Sequence, residues 1–352
     1  MSEGAIERLT QVIWELEAEL GLLEWETHGV RLWEAARMPA YYAIAHQLGV
    51  LDTPTVMLPP GIAPRVRVAA ELAAAGALKN PFVPAGKVDA LVFESGRAYE
   101  VDGDWVCPYS FALTRELRAQ GRKPLLLERR ARGQKEKTSD PARRKLEALE
   151  LARAVAGRVQ APRLARDPAL RGMAERIDAA LQLRYPGQRV TTLKTLSETL
   201  VRFQIDLALY RGLLALHRPR EVYCVVAYAG FAPLMAAARE RRIRSIELQH
   251  GVISHFHLGY SFPERDFATL RYFPDVVYTW GEPWDTLMDV PLPAERRQAY
   301  GFKYFEHRAQ PYRHAEKSPR RLLVISQGTI GRELAEVVLR SAPALAHCEI
   351  KY

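Results

Sequence analysis

Over residues 6–20, apolar positions recur at three- and four-residue steps, the spacing of one face of a helix. This spacing predicts a helix over 6–20. A stretch rich in aromatic residues and alanine predicts a second helix over 30–48, and an alanine-rich stretch after a proline-bearing link at 53–64 predicts a third over 66–78. Beyond Pro84 the pattern changes to short apolar runs rich in β-forming residues, separated by helical stretches. The runs predict strands at 88–93, 124–127, 221–227, 244–248, 275–280, 320–326 and 347–352. The stretches predict helices at 110–120, 141–158, 168–184, 191–217, 230–241 and about 331–339.

Strands that alternate with helices form βαβ units, so the sequence predicts an α/β fold: a Rossmann-type parallel sheet with flanking helices, behind a helical N-terminal extension. A loop at 303–319, rich in Pro, Tyr, His and charge, is interpreted as a linker between a domain at 1–302 and the start of a second Rossmann-like domain at 320–352. About 35 residues cannot bury a sheet on their own. The last segment therefore either completes the first sheet or begins a domain that continues beyond Tyr352, and we favour the second.

The composition mainly excludes several classes of protein. With 48% hydrophobic and 26% charged residues, the chain is not disordered. The three cysteines lie far apart without C-x-x-C spacing, so neither a zinc site nor a disulfide framework is predicted. The N-terminus lacks the apolar core of a signal peptide, and no window reaches about 18 uninterrupted apolar residues. These features predict a cytoplasmic protein, and they leave peripheral attachment at the inner face of the membrane open.

The net charge of +9 is concentrated in one segment, because residues 115–145 hold twelve basic and four acidic side chains. Such a segment is typical of a solvated loop. Contact with an anionic membrane surface or an anionic glycan is the functional alternative. The segment contains no nucleic-acid-binding module, so no nucleic-acid partner is predicted.

The most informative stretch, QHGVISHFHLGY, begins after the predicted strand 244–248. Ligands of open α/β sheets bind outside the carboxyl ends of the strands. His250 at this end is a candidate general base near neutral pH, and Gly251 beside it would permit close backbone approach or a positive φ. A structural, hydrogen-bonded histidine is the alternative. His255 and His257 could form part of a metal site, but no third ligand has suitable spacing, so no metal is predicted.

Two carboxylates and one small-residue junction are weaker candidates. Glu247 lies inside a strand, where a structural ion pair with an arginine is the favoured interpretation. Glu94 follows the strand 88–93 and could act as a second catalytic group facing the same cleft, or be a turn residue. Ser326, Gln327 and Thr329 lie between a strand and a helix, where backbone N–H groups can bind phosphate; a simple helix cap explains them equally well.

The stretch 247–263 resembles the Q-H-G segment of bacterial capsule and polysaccharide-biosynthesis glycosyltransferases with the GT-B fold. Other segments are similar to further elements of that family: 29–33 with Arg37 to G-[VI]-x-[IL]-W…R, 228–238 to a small-residue helix, 274–284 to P-D…x-x-G-x-x-W, and 301–304 to G-[FN]-P-x-x with Lys303 where proline is common. In the family a K-x-H-P element follows a strand of the second domain. Here it would begin just past Tyr352, which agrees with the truncation expected above.

The resemblance implies an N-terminal acceptor domain and a C-terminal domain that binds most of a nucleotide sugar. Related Kdo transferases and teichoic-acid polymerases use a histidine in a similar H-G element, which implies His250 as the base or a phosphate contact. The implied substrate- or nucleotide-binding residues are Gln249, Gly251, His255, His257, Tyr260, Ser326, Gln327 and Thr329.

The expected reaction is sugar transfer to a glycan or lipid-linked acceptor in surface-polysaccharide synthesis, without a metal or other cofactor. Polyol-phosphate transfer of the teichoic-acid type and a non-catalytic acceptor- or partner-binding domain remain open. Because part of the donor domain would be missing, these residues alone are expected to be inactive.

Overall fold

The computed structural model describes residues 4–51, 79–128, 136–263, 265–287, 290–314, 316, 318–326 and 331–351. The predicted link at 53–64 and the predicted helix at 66–78 lie outside these residues. The chain forms two compact units, Met1–Tyr304 and Phe305–Tyr352.

The first unit is built on a seven-stranded parallel sheet. The strands of this unit are β1 Glu26–Thr27, β2 Val30–Arg31, β3 Ala90–Glu94, β4 Tyr99–Val101, β5 Asp104–Val106, β6 Pro124–Glu128, β7 Arg143–Lys145, β8 Glu221–Val225, β9 Arg244–Leu248, β10 Val276–Thr279 and β11 Arg297–Ala299. The sheet has the order β7–β6–β3–β8–β9–β10–β11. This is the 3-2-1-4-5-6 order of Rossmann-type sheets with one strand added. The predicted α/β fold with a Rossmann-like parallel sheet is confirmed.

Helices cover both faces of this sheet. The helices of the unit are α1 Ala5–Leu20, α2 Leu32–Gln47, α3 Phe111–Ala119, α4 Glu147–Leu164, α5 Pro168–Arg184, α6 Leu193–His217, α7 Ala232–Glu240 and α8 Glu282–Leu287, and α9 Lys303–Ala309 begins at its end. Along β3 the side chains alternate between faces: Leu91 packs with α6 and α7, whereas Val92 packs with α3. Both faces are therefore buried, which explains the continuous apolar runs in the sequence.

The predicted N-terminal extension is part of a larger helical core. Leu9 and Ile13 of α1 and Trp33 of α2 pack in one apolar cluster with Ile177 of α5 and Leu200 of α6. The cluster also includes Leu258 from the loop that follows β9. The N-terminal helices therefore contact the loop in which the candidate histidines lie.

One sequence-based boundary was wrong. The helix predicted at 141–158 begins only at Glu147, because Arg143–Lys145 pairs with β6 as the edge strand β7. The stretch 303–319, interpreted as a linker, contains the helix α9. The hairpins β1–β2 and β4–β5 and the strand β11 were not predicted, since strands of two or three residues are too short to show a period.

The sheet reverses its winding direction between β3 and β8. From β3 the chain proceeds outward to β6 and β7, and then returns to β8 on the other side of β3. Ligands of such sheets bind at the carboxyl ends of the strands at this switch point. Glu94 ends β3 there, and the residues after β8 and β9 reach the same edge.

The second unit contains two parallel strands, β12 Arg321–Leu323 and β13 Glu349–Lys351, and the helix α10 Gly331–Ser341. The side chains of Leu323, Ile325 and Leu339 are exposed in it. None of the described helices is long and apolar enough to cross a membrane.

Candidate functional site

Two tyrosines hold the imidazole of His250 beyond the carboxyl end of β9. The hydroxyl of Tyr228 lies 3.3 Å from Nε2, and the hydroxyl of Tyr260 lies 3.3 Å from Nδ1. Tyr228 comes from the turn after β8, whereas Tyr260 comes from the loop after β9. The parallel pairing of these two strands therefore builds the site.

The hydrogen bonds determine which ring nitrogen of His250 carries the proton. The Tyr260 hydroxyl donates to Oε1 of Glu247, so it can only accept at His250 and Nδ1 must carry the ring proton. Nε2 is then an acceptor and receives the hydrogen bond of Tyr228. We call this series, Tyr228–His250–Tyr260–Glu247, the His250 chain. It presents a neutral imidazole with its lone pair on Nε2.

Burial shifts the pKa values of the imidazole and of the carboxyl group in this chain. The pKa of His250 is lowered to about 4, first by burial and then by His257 and the positive charge of Arg97. The pKa of Glu247 is raised to about 7 by its complete burial, which outweighs the hydrogen bonds from Tyr260 and Ala227. At neutral pH the histidine is uncharged, and the carboxyl is close to its midpoint.

Glu247 does not form the ion pair that the sequence suggested. Its Oε1 accepts from the Ala227 N–H at 3.0 Å as well as from Tyr260, and no described residue hydrogen-bonds its Oε2. Both oxygens are buried, and an unpaired negative charge there is costly. Burial therefore raises the pKa of this carboxyl above that of an exposed glutamate. A small cavity of about 40 Å³ adjoins Glu247 and Tyr228 and has room for water.

Backbone constraints keep Tyr228 in place. A Cβ on Gly259 would lie 2.5 Å from Cδ1 of Tyr228, so only glycine fits against that ring. Val226, two residues before Tyr228, has φ +67°. A β-branched residue in the left-handed region is strained, and such strain concentrates at functional sites.

Gln249 is buried, and its amide binds the protein itself. Oε1 accepts from the Trp280 N–H at 2.7 Å, and Nε2 donates to the Gly251 carbonyl at 3.0 Å. These bonds connect the ends of β9 and β10 and shape the turn after His250. The positive φ considered for Gly251 was wrong, since its φ lies outside the left-handed region, and a Cβ there would meet nothing within 4 Å.

The other two histidines of the loop differ in their surroundings. His257 packs against the rings of Tyr228 and Tyr260, with centroids 5.1 and 4.9 Å away, and burial lowers its pKa. His255 is exposed and contacts the Trp14 ring of α1 at 5.1 Å. Only His257 therefore adjoins the His250 chain. No three His, Cys, Asp or Glu side chains within the described part of the chain group as a metal site.

Glu94 lies in a separate buried ion cluster and is not a turn residue. Its Oε2 is 3.3 Å from Nε of Arg143 and 3.9 Å from Nζ of Lys137, and Ser110 donates to its Oε1. Glu128 completes the cluster at 3.2 Å from both cations. The charges of the two carboxylates and the two cations balance inside the fold, so the contacts of Glu94 are structural ion pairs. The same ion pairs explain why Arg143 lies in the strand β7.

In the described part of the basic segment 115–145, five of its twelve cations pair with carboxylates. Lys137 and Arg143 lie in the cluster around Glu94, and the other pairs are Arg118 with Asp140, Arg122 with Glu221 and Lys145 with Glu136. Of the carboxylate partners, Glu94 and Glu221 lie outside the segment and offset part of its positive excess, whereas the others are already counted in its charge. Contact with a membrane or glycan through this segment stays a prediction.

The predicted phosphate-binding residues belong to the second unit. Ser326 is exposed after β12, and Gln327 and Thr329 lie outside the described residues. Reasoning from the sequence did not single out Tyr228 or Arg97. Arg97 is exposed in the loop after β3 and donates to the Tyr109 hydroxyl at 3.0 Å. The sequence signal for these residues was position: Tyr228 directly follows the predicted strand 221–227, and Arg97 lies four residues after the predicted strand 88–93.

Substitution of Glu247 by glutamine changes how stability depends on pH. Between pH 4.5 and about 7 the folded carboxyl keeps a proton that the unfolded one loses, so rising pH destabilises the wild type. The slope is roughly 1.4 kcal/mol per pH unit inside this range and vanishes above it. Glu247→Gln removes the slope because the amide does not titrate. We expect the difference in unfolding free energy between the two proteins to change from pH 5 to 7 and then stay level, measured by urea denaturation.

The neighbours of Glu247 do not mask this effect. Burial raises the pKa of Cys224, Tyr228 and Tyr260, so all three stay neutral across the range. His250 acts in the opposite sense, because its lowered pKa adds stability that is lost as pH falls from 6.5 toward 4. That contribution is common to both proteins and cancels in the difference. Parallel stability curves would show that Glu247 is ionised throughout.

Comparisons of the chain with protein-family models, with curated proteins and with solved structures give no match. A function for the chain therefore rests on the geometry of this site and on the motifs of the sequence.

Proposed function

We propose that the protein is a glycosyltransferase that moves a sugar from a nucleotide sugar to a glycan or lipid-linked acceptor in surface-polysaccharide synthesis. The observation that carries the proposal is His250, an uncharged imidazole held by two tyrosines at the carboxyl edge of the sheet. The Q-H-G resemblance of 247–263 supports the same reaction class. A GT-B arrangement, with 320–352 beginning the nucleotide-sugar domain, and a cytoplasmic, membrane-peripheral location belong to this proposal.

Glycosyl transfer needs a base for the acceptor hydroxyl and stabilisation of the departing phosphate. In the proposed step the acceptor oxygen bonds to C1 of the donor sugar while the bond between C1 and the phosphate oxygen breaks. The acceptor proton passes to Nε2 of His250, and the bonding electron pair leaves with the phosphate. The acceptor hydroxyl takes over the hydrogen bond that Tyr228 makes to Nε2.

The rest of the His250 chain positions the base. Nδ1–H donates to Tyr260, which fixes the tautomer and leaves Nε2 free of a proton. Ionised Glu247, reached through Tyr260, favours the imidazolium that forms as the proton arrives. The positive charge of Arg97 lowers the pKa of His250, and in this proposal it also offsets negative charge on the departing phosphate.

Two other functions compete with this one. The first is a binding domain without catalysis. It is supported by the hydrogen bonds that both ring nitrogens of His250 already make inside the protein. Polyol-phosphate transfer of the teichoic-acid type would use the same base with a different donor.

The test is a donor panel given to the full-length protein, including any sequence that follows Tyr352. UDP-, GDP- and CMP-linked sugars and CDP-glycerol are incubated with a bacterial envelope glycan, and nucleotide release and product mass are followed. We expect turnover of one sugar nucleotide and an acceptor heavier by one sugar. Transfer from CDP-glycerol would replace this proposal by the teichoic-acid type. Neither turnover nor calorimetric binding of any donor would leave the binding-domain function.

A further inference from the structure

A second cavity lies beside the His250 chain, between α2, α6 and the turn that follows β8. Its volume is about 470 Å³, within the range of small-molecule sites. We call it the α2–α6 pocket. Tyr228 lines both this pocket and the small cavity beside Glu247, so the pocket adjoins the tyrosine that hydrogen-bonds the candidate base.

One wall of the pocket is polar and comes from a single face of α6. Thr195, Thr199 and Arg202 repeat at steps of four and three residues, which places them above one another on the helix. The guanidinium of Arg202 lies against Gly230: a Cβ there would be 3.2 Å from Nη2, and the φ of Gly230 is +93°. This close approach therefore requires glycine at the turn.

The opposite wall is apolar and aromatic. Met38 and Tyr42 of α2 line it, and the Tyr42 side chain is 43% exposed. Tyr228 lines the same pocket. Its hydroxyl hydrogen-bonds Nε2 of His250. A ligand in the pocket would therefore contact the tyrosine that holds the candidate base.

The charges of the pocket offset each other. Arg202 contributes a positive charge, with Nε 3.7 Å from Oδ2 of Asp206, and Glu198 lies beside it on α6. Asp206 also forms a buried ion pair with Arg153. An anionic ligand would meet two carboxylates here, and a cationic one would meet Arg202. Hydroxyl groups suit this wall best, because they both donate and accept hydrogen bonds.

We propose that the α2–α6 pocket binds a neutral, polyhydroxylated ligand, namely the sugar ring that carries the acceptor hydroxyl. Its hydroxyls bond Thr199 and Arg202, and its C–H face packs on Tyr42. As an acceptor site the pocket rests on the proposed function, but binding can be measured without any donor, so the two ideas can fail separately.

The test uses saturation-transfer NMR of the 352-residue protein with glucose, N-acetylglucosamine and glucuronate as probes. We expect both neutral sugars to bind and glucuronate to bind more weakly. Thr199→Val and Arg202→Met each remove hydrogen bonds to the ring and should raise the dissociation constant about tenfold. Arg211→Met is the matched control: Arg211 is also on α6, but it pairs with Glu240 on the surface. We expect it to leave binding unchanged.

Each outcome decides the inference. No binding of any neutral sugar, tighter binding of glucuronate, or equal binding by Thr199→Val, Arg202→Met and the wild type would overturn it. Sugar binding that these two variants weaken supports the pocket even if no donor is ever turned over. Transfer by the full-length protein without sugar binding in this pocket would leave the proposed function and remove this inference.

Discussion

Replacement of His250 by alanine is expected to lower the turnover of the full-length protein about 10²–10⁴-fold, the usual contribution of a positioned general base. The fold should survive, since His250 makes two long hydrogen bonds of 3.3 Å and is only partly buried. The loss should fall on kcat rather than KM, because the proton is transferred only as the new bond forms. Transfer is measured with the donor identified in the panel.

Val252→Ala is the matched control for this experiment. Val252 belongs to the same loop, but its side chain is 70% exposed. It should keep near-wild-type turnover and thermal stability. Near-normal turnover of His250→Ala would remove His250 from the reaction. Equal losses in both variants would indicate that the loop is disturbed as a whole.

The position of this site could be predicted from the sequence because parallel strands have a strong signal. β3 and β6 are buried at all five positions, and the first four residues of each form an apolar run. Once the alternation with helices is recognised, His250 must lie at the carboxyl edge. β7 has no such signal: it reads Arg-Arg-Lys, and it is a strand because β6 offers an edge and buried carboxylates attract Arg143.

The partners of His250 could not be predicted in the same way. Tyr228 lies 22 residues before it and meets it only because β8 and β9 are neighbours in the sheet. A sequence does not give the order of strands, and a parallel sheet of this size permits many orders. The interpretation of Glu247 failed for a related reason: an arginine partner was assumed, whereas the loop after β9 folds back and supplies the Tyr260 hydroxyl. Glu94 lies at the end of a strand, but the two cations that pair with it, Lys137 and Arg143, come 43 and 49 residues later in the chain.

The W…R element of the N-terminal helices also has a physical explanation. Nε and Nη2 of Arg37 donate to the two oxygens of Glu17 at 2.6 and 2.8 Å, and Nε1 of Trp33 donates to the same carboxylate at 2.7 Å. Arg37 Nη1 donates to the carbonyls of Leu258 and Ser261. These carbonyls flank Tyr260, so a buried arginine of α2 fixes the loop that completes the His250 chain.

Arg37→Met is therefore expected to cost about 3–5 kcal/mol of unfolding free energy, because it leaves the Glu17 carboxylate buried without its cation. Arg37 and Glu17 are only 2% and 4% exposed, so water does not replace the lost partner. Arg271→Met is the control: Arg271 forms a pair of similar length, 2.8 Å to Glu26, but both side chains are more than 40% exposed. That change should cost less than about 1 kcal/mol. Both variants are compared with the wild type by urea denaturation.

A loss of this size is a large fraction of the total stability of most proteins, so Arg37→Met could fail to fold altogether. Arg37→Lys then provides the measurement, since lysine keeps the charge but loses the paired contact with both oxygens of Glu17. We expect it to fold with an intermediate loss of stability. We also expect reduced turnover, because the carbonyls of Leu258 and Ser261 lose part of their anchor. Equal stability of the Arg37 and Arg271 variants would show that the buried pair does not hold α1, α2 and the His250 loop together.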